Sequence, residues 1–263
     1  MEIIKDKEKR NMKKKLIAAQ LYTVRDFLKT PEDIAKSFKK VKAIGFDAVQ
    51  LSGLGPIGDV ELKKMLDGEG LVCCATHESG KMIFEEPSKV VDKLNALGCK
   101  YTAYPWPHTS PKTEADFKMV AAALNKAGKV LRDAGQVLTY HNHAIEFEKF
   151  GGKTGLDIIY DETDPKNLQG EIDTFWVQHG GGDPVEWCKK LANRLPLLHL
   201  KEFGIIENQI KMLEIGNGNL DWKRIVKAAK KSGTEWFIIE QDVCRIDPFE
   251  SLKISLDYLV NEI

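Results

Sequence analysis

The sequence predicts a single-domain α/β protein, a closed (β/α)8 (TIM) barrel. Three observations carry that prediction. Eight strand-like runs alternate with eight helical ones. That alternation predicts a parallel sheet, and eight such units in about 250 residues close into a barrel. Imidazoles and carboxylates gather where the strands end, which is where such barrels carry their sites. No glycine-rich phosphate fingerprint follows the first strand, where Tyr22-Thr23-Val24-Arg25 stands instead. An open doubly wound sheet is therefore the weaker alternative.

Residues 1–14 are mostly charged and read as a flexible leader, leaving 15–263 for the barrel. Lys13 to Lys15 before Leu16-Ile17-Ala18-Ala19 has the start of a signal peptide, but the apolar run breaks at Gln20 and no convincing cleavage site follows. Leu16 to Tyr22 reads as the first strand. Thr30-Pro31-Glu32-Asp33 opens a helix, with Thr30 as cap, Pro31 at the first helical position and Asp33 closing a capping-box-like pair. Ile34, Phe38, Val41 and Ile44 carry its apolar face, and Gly45 ends it. Strands follow at Ala48 to Leu51, Leu71 to Thr76 and Tyr101 to Tyr104, separated by helices over Val60 to Leu66 and Pro87 to Leu97. Thr113 to Ala134 is a long amphipathic helix. The fifth strand is Val137 to Tyr140, running into His141. Helices over Gly155 to Glu162, Pro184 to Ala192, Asp221 to Lys231 and Pro248 to Val260 alternate with strands over Leu168 to Asp173, Leu197 to Leu200 and Trp236 to Glu240.

Composition narrows the function. Hydrophobic content of 43% with 30% charged residues is that of an ordinary globular protein. The 39 basic and 39 acidic residues balance, so no overall field draws the chain to nucleic acid or to a membrane surface. No apolar run approaches the ~18 residues of a membrane helix. The five cysteines form no CxxC pair, which fits reduced thiols and a cytoplasmic location.

The fifth strand end, Tyr140-His141-Asn142-His143, is the most telling stretch. Positions i and i+2 of a strand face one side, so His141 and His143 are expected to point together. Other strand ends add Gln20 and Tyr22, Gln50, His77, Trp106, Glu171 and Asp173, His199 and Lys201, and Glu240 and Asp242. Such groups have no use in an apolar core unless they bind a cation or move protons. Each has a plainer reading. Asp173 can cap a turn, His199 in Leu197-Leu198-His199-Leu200 can be a satisfied core histidine, and Lys201 can pair with a buried carboxylate such as Glu240. Trp106 and Trp176 either stack on a sugar or simply pack.

Taken together, the chain resembles the xylose isomerase-like TIM barrels, the sugar phosphate isomerase/epimerase superfamily that also holds endonuclease IV and inosose dehydratase. The resemblance rests on Ala18-Ala19-Gln20-Leu21-Tyr22-Thr23-Val24-Arg25, Gly45-Phe46-Asp47-Ala48-Val49-Gln50, Tyr140-His141-Asn142-His143, Glu171-Ile172-Asp173-Thr174-Phe175-Trp176, His199-Leu200-Lys201-Glu202, Gly216-Asn217-Gly218-Asn219-Leu220-Asp221-Trp222 and Ile239-Glu240-Gln241-Asp242. It implies one divalent metal held from strands five to eight, usually by Glu, Asp, His and Glu. Carried over, the ligands are His141, Asp173, His199 and Glu240. The common strand-five pattern is Glu-Asn-His, so His141 replaces a carboxylate; Glu146 is a second candidate to supply it. An imidazole there favours Mn, Co, Zn or Fe over Mg. A similar histidine-rich end is found in the inosose dehydratase branch.

The resemblance further implies an isomerase or epimerase acting on a sugar or keto-sugar through an enediolate, with a dehydratase of a keto-polyol as the alternative. Glu240 or His143 would carry the proton and Lys201 would steady the oxyanion or assist a leaving hydroxyl. Gln20, Tyr22, His77, Glu146, Trp106, Trp176 and Arg245 are the expected substrate contacts. A small carbohydrate is the expected partner, without nucleic acid or membrane, and a homo-oligomer is left open. An abasic-site endonuclease would need a basic surface and more than the six histidines present. A non-catalytic sugar-binding barrel would have shed the ligand-capable strand ends.

Overall fold

The barrel strands are short and almost entirely buried on both faces, and each is followed, directly or after a hairpin, by a helix with one apolar face. The computed structural model describes residue 12 and residues 14–263, so the expected leader lies almost wholly outside the described residues. The strands are β1 (Ile17–Gln20), β2 (Ala48–Leu51), β3 (Val72–His77), β4 (Tyr101–Tyr104), β5 (Val137–His141), β6 (Lys149–Phe150), β7 (Lys153–Thr154), β8 (Leu168–Asp173), β9 (Leu197–Leu200), β10 (Glu202–Ile206), β11 (Gln209–Leu213) and β12 (Trp236–Ile239). Eight of them close a parallel barrel in the order β1-β12-β9-β8-β5-β4-β3-β2. The (β/α)8 expectation is met.

The helices wrap the barrel. In α1 (Pro31–Ile44) the Thr30 side chain accepts from the Asp33 amide, and Ile34, Phe38 and Val41 face inward. In α2 (Glu114–Asp133) Thr113 and Asp116 form a reciprocal capping box. The interior glycine of α2 has a reason: a Cβ on Gly128 would lie 1.9 Å from the Asn167 carbonyl oxygen. Among the described residues no helix is long and apolar enough to cross a membrane.

Alternation splits the core in two. Ile17, Ala19, Leu198, Leu200 and Ile239 belong to the large cluster between sheet and helices. Ala18, Ala48, Cys74, Ala75, Tyr101, Leu197 and Ile238 form a separate cluster inside the barrel. The next inward positions, toward the strand C-termini, are polar.

Four differences from the sequence reading have local causes. β1 stops at Gln20, and Tyr22 lies in a 3₁₀ segment (Leu21–Phe27) because the Gln20 side chain accepts from the Tyr22 amide and bends the chain. β5 stops at His141, so His143 lies beyond the strand. Helices over Gly80–Glu85 and Thr174–His179 are too short to show a helical period in sequence. Two antiparallel hairpins, β6–β7 and β10–β11, add to the barrel. The second turns at Glu207 and Asn208, both with positive φ (50° and 60°), as a two-residue hairpin turn requires.

Candidate active site

Parallel register sets the site. His141 lies opposite Glu171 across β5 and β8, and Asp173 opposite His199 across β8 and β9. Gln20 lies opposite Gln50 across β1 and β2. His143 is past its strand, yet its ring centroid is 4.9 Å from that of His141. The expected pairing of the two rings is thus reached by a loop rather than by strand alternation.

One oxygen organises the floor. Glu171 Oε1 is approached by His77 Nε2 at 2.6 Å, His199 Nε2 at 3.0 Å and His141 Nδ1 at 3.3 Å. Its second oxygen accepts from Gln50 Nε2 at 2.7 Å. Gln50 Oε1 accepts from Gln20 Nε2 at 2.9 Å and lies 2.6 Å from His199 Nε2. Above this layer, His199 Nδ1 and Lys201 Nζ meet Glu240 Oε2 at 3.0 and 3.1 Å. Lys201 Nζ also lies 3.4 Å from Asp173 and 2.7 Å from Asp242.

These contacts fix the charges. Burial works against the Glu171 carboxylate, but the imidazoles of His199 and His77 outweigh it and hold its pKa well below the usual range. Burial also works against the His199 cation, but Glu171 and Glu240 push its pKa up to about 10. Asp173 is pushed up to about 7 by burial, against the pull of Lys201. Lys201 is buried, yet Asp173, Glu240 and Asp242 keep it firmly charged. His143 has no such partner: burial, with His141 and Lys201 beside it, lowers its pKa to about 2, so its ring is neutral.

Two overlapping sets of side chains bring their donor atoms within 4.8 Å of one another: His77, His141, Glu171 and His199, and His141, Asp173, His199 and Glu240. The second is the set expected from the sequence. It fits a divalent cation on two counts. Asp173 Oδ2 is buried and accepts no hydrogen bond, with the Lys201 ammonium 3.4 Å away. Two imidazoles with two carboxylates form a donor set suited to transition metals.

A cavity of about 450 Å³ opens over this cluster, lined by Tyr22, Arg25, His77, Trp106, His143 and Asp242 among others. Tyr22 and Trp106 stand at its rim, 38% and 50% exposed. Trp176 lies behind His143, with ring centroids 5.3 Å apart. Four expected contacts, Trp176 and three others, do not line the cavity. Gln20 is fully buried beneath the histidines. Glu146 does not reach the cluster: its carboxylate accepts from the Tyr140 hydroxyl and the His143 amide, both at 2.8 Å, on the outer side of β5. It pins the loop that carries His143. Arg245 is exposed and does not line the cavity, whereas Arg25 does. Arg25 donates to the carbonyls of Tyr22 and Asp242.

The sequence reading missed the weight of Glu171 and Gln50. Both stood at strand ends, with Glu171 two residues before Asp173 on the same face. Alternation alone could have placed Glu171 in the site.

Fold and donor set together define a closed (β/α)8 barrel whose strand ends bring together side chains able to hold a divalent cation. A family model for the xylose isomerase-like TIM barrel matches residues 38–261, and the chain belongs to that family. It is 26% identical over 290 residues to an inosose dehydratase from Mesomycoplasma hyopneumoniae strain J, covering 92% of this chain and 94% of that protein. An inosose dehydratase from Geobacillus thermodenitrificans is 28% identical over 167 residues, covering 56% of this chain. That match, like several others, spans only about half of the relative's length, here 55%. Among solved structures, a sugar phosphate isomerase/epimerase from Parabacteroides distasonis superposes with a TM-score of 0.81 at 24% identity, covering 95% of this chain and 96% of its own.

Proposed function

We propose that the protein is a divalent-metal-dependent enzyme that breaks a C–H bond beside the carbonyl of a sugar or keto-sugar, and returns the proton to carbon as an isomerase or epimerase. His141, Asp173, His199 and Glu240 hold the ion, with Mn, Co, Zn or Fe preferred over Mg because two ligands are imidazoles. When bound, the ion supplies Lewis acidity that polarises the carbonyl and acidifies the neighbouring C–H.

The chain's own groups do the rest. His143 takes the proton, and the C–H electron pair moves into the new carbon–carbon double bond as the carbonyl becomes an enediolate. The observation that carries this role is its freedom. His77 and His199 are tied to Glu171, and His141 lies against it without a hydrogen bond formed at Nδ1, whereas His143 lines the cavity, its ring touches no carboxylate and its Nδ1 is unpartnered. Glu240, already bonded to His199 and Lys201, is the alternative carrier. Lys201 presents a buried ammonium to the developing oxyanion. Tyr22, His77 and Trp106 contact the substrate, with Trp176 backing His143.

Dehydration of a keto-polyol is the second reading, favoured by the similarity to inosose dehydratases. It shares the enolising step; the hydroxyl on the next carbon then leaves as water, with its proton given by Lys201. The test is solvent exchange. With Mn²⁺ or Co²⁺ added, a panel of keto-sugars and inososes in heavy water should lose the C–H proton next to the carbonyl. Deuterium in recovered substrate or its epimer supports the first reading, and an unsaturated or diketone product the second. No exchange with any compound overturns both.

A further inference from the structure

We propose that Glu171 is the positioning residue of this metal centre: it keeps protons on the inner nitrogens of His141 and His199, so that their outer nitrogens face the ion with free lone pairs. The inference rests on the metal reading above and concerns which residue prepares the ligands.

His199 shows the logic. The Tyr22 backbone N–H donates to Gln20 Oε1 at 3.2 Å, and a backbone amide is a donor without ambiguity. Gln20 Nε2 must therefore be the group that donates to Gln50 Oε1. Gln50 Nε2 in turn donates to Glu171. His199 Nε2 thus meets two acceptors, Gln50 Oε1 at 2.6 Å and Glu171 Oε1 at 3.0 Å, and must carry a hydrogen. In the neutral ring Nδ1 is then the lone-pair nitrogen, and it is Nδ1 that faces Glu240 at 3.0 Å. His141 has the same orientation with a looser contact. Its Nδ1 faces Glu171 Oε1 at 3.3 Å without a hydrogen bond formed in this structure, and its Nε2 faces Asp173 Oδ2 at 4.0 Å.

The same geometry decides between the two overlapping donor sets. Ions in both would take both ring nitrogens of His141 and of His199 and leave two adjacent imidazolate anions. One ion in the upper set, with Glu171 behind it, leaves every ring neutral. Carboxylates behind ligating histidines commonly fix the tautomer and ring orientation in this way. Glu171 also lies directly opposite His141 in register. It therefore carries, one layer back, the negative charge that the family pattern places on strand five itself.

The test is titration with Co²⁺, Zn²⁺ or Mn²⁺, followed by thermal shift and by the cobalt absorption spectrum. The wild type should bind one ion. Glu171→Gln should lose about 10–100-fold in affinity and shift the cobalt bands. His141→Glu alone sets two carboxylates side by side and should bind poorly. His141→Glu with Glu171→Gln moves the charge back to strand five and should recover most of the loss, a rescue that a merely structural Glu171 would not give. Gln50→Met, which cuts the relay without touching a charge, should weaken binding less and serves if Glu171→Gln fails to fold. Unchanged affinity and spectrum in Glu171→Gln, or in Gln50→Met where that is the variant that folds, would overturn the proposal, as would a double variant no better than His141→Glu. A wild type that binds no ion overturns the metal reading itself, an outcome distinct from a wild type that binds and variants that do not differ.

Discussion

Inside the barrel, Ala18, Ala48, Leu197 and Ile238 form one layer. Gln20, Gln50, His199 and Glu240, two residues further along the same strands, form the next. Both layers are buried, but they are held differently. The lower one gains from close packing of apolar surface, where each contact is small and a neighbour's loss is felt locally. The upper one exposes no side chain to much water, so each polar group depends on another. Glu171 alone answers three imidazoles and Gln50. The apolar layer carries the fold, and the polar layer is a single coupled device.

That contrast can be broken at its strongest point. Asp173→Ala combined with His199→Ala should abolish ion binding and lower ion-dependent turnover by at least about a hundredfold. For the wild type, an ion at 100 times its Kd adds about 2.7 kcal/mol of stability. That should raise Tm by about 5–10 °C, reversed by chelator. The double variant should show no such rise by differential scanning fluorimetry; full ion occupancy in it would sink the site.

A buried carboxylate outside the device sharpens the comparison. Burial raises the Glu146 pKa to about 7, with the hydroxyl of Tyr140 and the amide of His143 only partly offsetting it. A raised folded-state pKa means that the folded protein holds the proton more tightly than the unfolded chain. Stability should therefore fall as pH rises from about 4.5 to about 7 and level off above, by about 3 kcal/mol for this group. Glu146→Gln should flatten that slope in urea melts across the range. An unchanged slope in the variant would show that Glu146 is ionised as readily folded as unfolded.

Overpacking the lower layer should act on the fold and spare the site. Ala18→Leu inserts methylenes into a closed apolar layer and should cost about 1–3 kcal/mol. Its affinity for Mn²⁺ should match the wild type; a marked loss would mean that the two layers are not separable. The smallest effect belongs to the rim. Trp106→Ala should change stability by no more than about 0.5 kcal/mol, since the ring is half exposed. Weaker substrate binding with an unchanged exchange rate at saturation would mark it as a binding wall.

Much of this was legible in the strands. β2, β4, β8 and β9 fall where apolar runs between helix stops place them. Asp173 and His199 were readable as inward residues because alternation of two fixes the face once the strand is known. Glu146 was not. It lies five residues past His141 in a short 3₁₀ turn (Ile145–Phe147), and only the path of the chain after β5 turns its carboxylate outward to Tyr140. The short helices and the β10–β11 hairpin escaped because six-residue helices and surface ribbons carry too few periods to read.

The sequence by itself determined the barrel, the family and the ring of polar strand ends, because periodicity and helix stops are local properties of the chain. Only the tertiary structure decided which of those ends work together. Register across neighbouring strands put Glu171 against His141 and Asp173 against His199, and a loop brought His143 over them. Those register pairs lie 30 and 26 residues apart in sequence, and their distances are set by closure of the whole barrel. The chemistry of the mouth is therefore a property of the closed ring rather than of any one motif.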